Sequence, residues 1–126
     1  PCWCGLSGCL ETWISGTGFA RDHAFANGGE LSAVQIVEAM RSGDKDASQS
    51  FDRFLNRLGR ALAQVINLLD PDCIVLGGGM SNVDEIYPAI QAQILPYTFS
   101  KTVRTPVRKA LHGDSSGVRG AAWLAR

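Results

Sequence analysis

The sequence predicts an α/β fold, and three observations carry that reading. A sustained amphipathic helix runs from Ala47 to Leu69. A short apolar run, Cys73 to Leu76, follows almost at once and stops at Gly77-Gly78-Gly79. A second helical pattern begins after the glycines, and Val107 to Leu111 can make another strand beyond it. Helix, apolar strand, glycine turn, helix and strand in that order suit an α/β class.

The chain opens with PCWCGLSGCLETWISG, where Cys2, Cys4 and Cys9 share a short glycine-punctuated loop. A tetrahedral metal site takes four donors and a disulfide takes two, so three cysteines fit neither by themselves. In a reducing compartment such a cluster more often binds metal than forms a disulfide. His23 is near enough in sequence to be a conceivable fourth donor. The chain begins at Pro1 without an initiator methionine and with no element ahead of the loop, so a fragment is expected.

Leu10 to Ile14 and Phe19 to Ala26 read as short helices broken at Ser15-Gly16-Thr17-Gly18. Gly28-Gly29 marks a turn, and Ser32 can cap a helix through Met40 that stops at Gly43. In the long helix, Phe51, Phe54, Leu55, Leu58, Leu62, Val65, Ile66 and Leu69 recur at three- and four-residue steps until Asp70-Pro71. Its polar positions Asp52, Arg53, Arg57 and Arg60 read as a solvated face. Cys73, Ile74, Val75 and Leu76 have the continuous apolar character of a strand buried on both faces, with Cys73 a small buried side chain.

Ser81 or Asn82 can cap the helix carrying Val83, Ile86, Tyr87, Ile90 and Ile94, which Pro96 interrupts. A glycine triplet between a strand and a helix start lets a ligand lie against bare backbone, and a nucleotide is the natural candidate. A tight corner needs the same glycines, and the stretch has neither the lysine of a P-loop nor the spacing of GxGxxG. Asp114 or Ser115 can cap a terminal helix whose Gly117, Gly120, Ala121 and Ala122 permit close packing on a sheet. His112, with no neighbouring Cys or His at metal spacing, reads as structural.

At 126 residues, 45% hydrophobic and 19% charged, the chain has the composition of one folded domain or part of one, and no linker divides it. Twelve basic and twelve acidic residues cancel, which argues against nucleic acid or an anionic membrane as partner. No apolar run approaches the ~20 residues of a membrane span, and no secretion signal opens the chain, so a cytoplasmic protein is expected.

The segments CWCGLSGCLE, SGTGF, DPDCIVLGGGMSNVDEIY, TPVRKALHGDSSG and VRGAAWLA together resemble the ROK family of sugar kinases and sugar-responsive repressors. The first fits the family's CxCGxxGCxE signature, and the glycine triplet with Met-Ser-Asn and the HGDSSGVRGAAWL ending look like the manno(fructo)kinase branch of bacterial fructokinases. The resemblance covers essentially the whole chain. It implies the C-terminal lobe of an actin-like ATPase fold built from RNase H-like domains, with residues 1–11 as a zinc and sugar loop and 70–95 as the nucleotide motif.

It also implies ATP-dependent phosphorylation of a hexose, fructose first among them, with ATP, Mg2+ and a structural Zn2+ as cofactors. Cys2, Cys4 and Cys9 correspond to the family's three cysteine ligands, and the fourth is a histidine upstream of the loop. Glu11 matches the glutamate that hydrogen-bonds sugar hydroxyls, and Gly77, Gly78 and Gly79 fall on the adenosine-side glycine motif. The catalytic aspartate and the first phosphate loop belong to the upstream half in this family, and Asp114 sits in a structural turn. The fragment alone is therefore expected to be inactive and to leave apolar surface uncovered, and the full-length protein to be a homodimer. A sugar-sensing repressor with an upstream helix-turn-helix, or a non-catalytic zinc module, are the alternatives.

Overall fold

The computed structural model describes residues 1–124, without the side chains of Asp114 and Ser116. The cap expected from Asp114 lies outside that set. The chain divides into two compact units, Pro1–Ala61 and the remainder from Leu62.

The first unit contains the cysteine loop, α1 (Glu11–Ile14), α2 (Gly16–Asn27), α3 (Ala33–Arg41) and most of α4 (Lys45–Leu69). The expected break between the first two helices narrows to Ser15, whose Oγ accepts from the Gly18 amide at 3.0 Å and so caps α2. Gly18 is required by packing: a Cβ there would lie 2.6 Å from the Thr12 carbonyl oxygen, so only a glycine lets α2 approach the backbone of α1 this closely. Ser32 caps α3 as expected, in a reciprocal box with Gln35. Gly43, at φ +88°, ends α3 where its amide bonds Met40 O while the Asp44 amide bonds Ala39 O. Asp44 Oδ1 then accepts from the Ala47 amide at 2.7 Å and opens α4.

The apolar stripe of α4 supplies the core. Phe51, Phe54, Leu55 and Leu58 are buried with Phe19, Ile36 and Val37. Phe19 and Phe54 have ring centroids 5.3 Å apart, and Phe51 lies 6.2 Å from Phe54. Towards its end the stripe outruns its cover, leaving Leu68 and Leu69 exposed.

In the second unit β1 (Ile74–Leu76) pairs in parallel with β2 (Val107–Lys109), with Ile74 opposite Val107. The crossover is α5 (Ile86–Ile94), which buries Ile86, Ile90 and Ile94 and packs against β2. The expected double burial of β1 is corrected: Val75 is 61% exposed and Cys73 is also exposed. A single helix covers one face of a two-stranded pair, and the alternate residue of the strand faces outward.

Two further corrections concern helix placement. The glycine triplet leads into one 3-10 turn, Gly79–Asn82, and α5 starts only at Ile86 without a side-chain cap, so Ser81 and Asn82 do not cap it. The last helix, α6 (Ser116–Leu124), exposes Gly117, Gly120, Ala121 and Ala122, and a Cβ on either glycine would meet nothing within 4 Å. Close packing on a sheet is absent among the described residues. No helix there is long and apolar enough to cross a membrane.

Candidate functional site

The cysteine loop folds on itself through two backbone bonds, Cys2 N–H to Leu6 O at 2.7 Å and Gly5 N–H to Cys2 O at 3.0 Å. Gly5 and Gly8 take left-handed φ values of +86° and +76°, which supply the reversals that a β-carbon would oppose. As a result the three Sγ atoms lie within 4.8 Å of one another, with Cys4 and Cys9 at 3.5 Å. One tetrahedral ion bound to thiolates at about 2.3 Å sets its sulfurs about 3.8 Å apart, so these separations fit a single metal. Soft sulfur donors favour zinc or an iron–sulfur centre over magnesium or calcium.

Backbone hydrogen bonding at Leu6, then hydrogen bonds from Cys9 and Cys2, lower the pKa of the Cys4 thiol. Cys9, donating in the same set, is raised. The trio thus has one thiol biased towards the thiolate form that metals require.

His23 is not part of this cluster. It is 5% exposed, its Nδ1 lies 2.9 Å from Ser50 Oγ, and Asn27 Nδ2 is 3.2 Å from the same nitrogen. It belongs to the core, and its candidacy as fourth donor is withdrawn.

Glu11 opens α1, two residues beyond Cys9, and is exposed. The turn between them is tied by Thr12 Oγ1 donating to Cys9 O at 2.7 Å, and Ser15 Oγ donates to Glu11 O at 2.6 Å. The loop that gathers the thiols therefore also sets where Glu11 stands.

A second cluster was hidden in the sequence. Asp22 receives Arg57 Nη1 on Oδ1 at 2.7 Å and Arg53 Nε on Oδ2 at 2.9 Å, while its side chain is 12% exposed. The Arg57 guanidinium also lies 4.8 Å from the ring centroid of Trp13, and Arg53 Nη2 reaches Ser50 Oγ at 2.9 Å. The solvated face expected for Arg53 and Arg57 is therefore corrected. A signal was available: two arginines four apart on one helix face repel unless a carboxylate sits between them. Burial pushes the Asp22 carboxyl up, but Arg57 and Arg53 together outweigh it and hold it below its ordinary value. A cleft of about 510 Å³ opens beside α1, lined by Gly8, Thr12, Trp13, Arg21, Asp22 and Arg57 among others.

In the second unit Gly77, Gly78 and Gly79 are exposed, and a Cβ at any of the three would meet nothing within 4 Å. Gly78 sits at φ +78° and ψ 178°, a region open in practice only to glycine. The path is pinned from behind: Ser81 Oγ donates to Gly78 O at 2.7 Å, and Tyr87 Oη donates to Ser81 O at 2.6 Å. Burial pushes the Tyr87 phenol up. A Cβ on Gly113, at φ +55°, would come within 2.9 Å of Asn82 Oδ1, so the HGDSSG turn sits against the end of the glycine loop. His112 there is exposed, with Arg119 Nη1 2.8 Å from its Nδ1.

Residues 1–126 match the ROK family. The chain belongs to that family. It is 44% identical over 124 residues to an N-acetyl-D-glucosamine kinase of Pectobacterium carotovorum subsp. carotovorum, covering 98% of this chain and 40% of that protein. Its fold matches a ROK family glucokinase from Streptomyces griseus, solved with glucose and AMPPNP, at a TM-score of 0.83 and 28% identity, covering 96% of this chain and 45% of that one. A ROK family transcriptional regulator, a homolog of the E. coli MLC protein, matches at a TM-score of 0.65 and 31% identity over 86% of this chain and 30% of that one. The chain thus spans less than half the length of these relatives, and its fold is that portion of the ROK architecture.

Proposed function

We propose that the full-length protein transfers the γ-phosphoryl group of ATP to a hydroxyl of a hexose. The observation that carries this reading is the 44% identity to a sugar kinase across 98% of this chain. In this reading the exposed Glu11 carboxylate accepts hydrogen bonds from sugar hydroxyls, and the open backbone of Gly77, Gly78 and Gly79 lies along the nucleotide, where side chains would hold it off. Cys2, Cys4 and Cys9 hold a structural zinc whose only contribution is to cross-link the loop that carries Glu11. ATP comes with Mg2+, and the base that takes the hydroxyl proton belongs to the remainder of the protein. The full-length enzyme works as a homodimer in this reading.

Two sugars compete. The Met-Ser-Asn following the triplet and the HGDSSGVRGAAWL ending support fructose, whereas the names of the relatives support N-acetylglucosamine. A coupled ADP-release assay on the full-length protein, run with fructose, mannose, glucose and N-acetylglucosamine, separates them. Glu11→Gln should raise the sugar KM roughly tenfold or more, the cost of a charge-assisted hydrogen bond. Zinc analysis of the purified protein should give one ion per chain, lost in Cys4→Ser. No turnover with any hexose would favour the second reading, a sugar-responsive regulator, which the match to a ROK transcriptional regulator supports.

A further inference from the structure

The helix that presents Glu11 cannot orient itself. It is four residues long, buries none of them, and is far below the length at which a helix is stable alone. Its direction is imposed by neighbours. Local ones are Thr12 Oγ1 on Cys9 O, Ser15 Oγ on Glu11 O and the Arg21 guanidinium on Thr12 O. A further one comes from a distant stretch of chain: Arg57 of α4 stacked on Trp13, two residues past Glu11.

That contact is itself held. Asp22 Oδ1 accepts from the Arg57 guanidinium at 2.7 Å while its other oxygen accepts separately from Arg53 at 2.9 Å, with a side chain only 12% exposed. A guanidinium can satisfy a carboxylate with its edge while its face lies on an indole, which an ammonium cannot do in the same way. We propose that Arg57 is a positioning residue for sugar binding: pinned by Asp22, it clamps Trp13 and so holds α1 at the angle that presents Glu11. The inference rests on the reading of Glu11 as a sugar contact. Arg57 sets affinity without touching sugar, nucleotide or metal.

The test uses the full-length protein and steady-state kinetics with both substrates varied. Arg57→Ala and Trp13→Leu each raise the sugar KM about three- to tenfold, the range of a partly buried cation–π contact. The ATP KM and kcat stay within about twofold, because the contact acts on sugar placement in ground and transition state alike. The double variant is no worse than either single, since both remove one contact. Trp13→Phe, which keeps an aromatic face, retains most of the affinity, whereas Arg57→Lys does not. Arg53→Ala breaks the other Asp22 contact without touching Trp13, and leaves the sugar KM within about twofold even where it lowers the melting temperature. If Arg57→Ala does not fold, Trp13→Leu and Arg57→Lys carry the measurement. An unchanged sugar KM in these variants, an equal rise in the ATP KM, or an equal effect of Arg53→Ala overturns the proposal. Glu11→Gln in parallel separates the two levels: a raised KM there with none in Trp13→Leu removes Arg57 alone, and no change in Glu11→Gln removes both.

Discussion

The two units are held together by different means. In the first, side chains converge: Phe19, Phe51 and Phe54 fill the centre, Asp22 collects two guanidiniums, and His23 is buried against Ser50. In the second, much of the order is backbone: a short parallel ladder, a 3-10 turn whose carbonyls are tied by Ser81 and Tyr87, and one helix of isoleucines against β2. The difference matches what each end must offer. Glu11 would act through a side chain on a helix with no buried residue, so its precision is borrowed from surrounding side chains. The glycine triplet would act through backbone, so a fixed path with nothing projecting from it is sufficient.

The first unit is most sensitive in its aromatic core. Phe54→Ala should cost about 3–5 kcal/mol in denaturant unfolding, since a 1% exposed ring between two others leaves a cavity its rigid neighbours cannot close. Gly18→Ala should cost about 2 kcal/mol, because the new Cβ meets a carbonyl of α1 at 2.6 Å and backbone must move. In the full-length protein it should also raise the sugar KM, as α1 is displaced.

Asp22→Asn should cost about 1 kcal/mol at neutral pH, measured the same way. Its pH signature is more telling. The folded pKa of Asp22 lies below its unfolded value, so its stabilisation is complete above about pH 4 and is lost as pH falls further through the lowered folded value. The acid limb of stability against pH should therefore be shallower in Asp22→Asn. Smallest is the backbone-held unit's surface pair: Lys109→Ala, removing a 2.8 Å bridge to the 76% exposed side chain of Asp84, should change stability by less than about 0.5 kcal/mol. A large effect there would mean that side chains matter in the second unit as they do in the first.

Helix existence was legible in the sequence because periodicity reports which face must be covered. The stripe of α4 and the Ser32 cap with its Gly43 stop stand where the pattern places them. The exposure of Cys73 and Val75 was not legible, because an apolar run states what a strand could bury and says nothing of how many layers cover it. The late start of α5 was missed for a related reason: Ser81 is a good cap in isolation, but it lies inside the 3-10 turn Gly79–Asn82 that separates the glycines from α5. The three cysteines and Glu11 could be named from motif and spacing, whereas the Asp22, Arg53, Arg57 and Trp13 cluster joins positions up to 44 apart, and its one local sign, two arginines four apart, names neither Asp22 nor Trp13.

By itself, then, the sequence determined the family, the helical segments, the thiol trio and the glycine triplet, because each is written in residues close together in the chain. Only the tertiary structure decided that the three Sγ atoms meet within 4.8 Å, that His23 is buried in the core away from them, and that Arg57 bridges a carboxylate and an indole. Those outcomes depend on where chain folding brings distant side chains. Burial then makes such pairings matter, since a charge or imidazole withdrawn from water must find its partner inside.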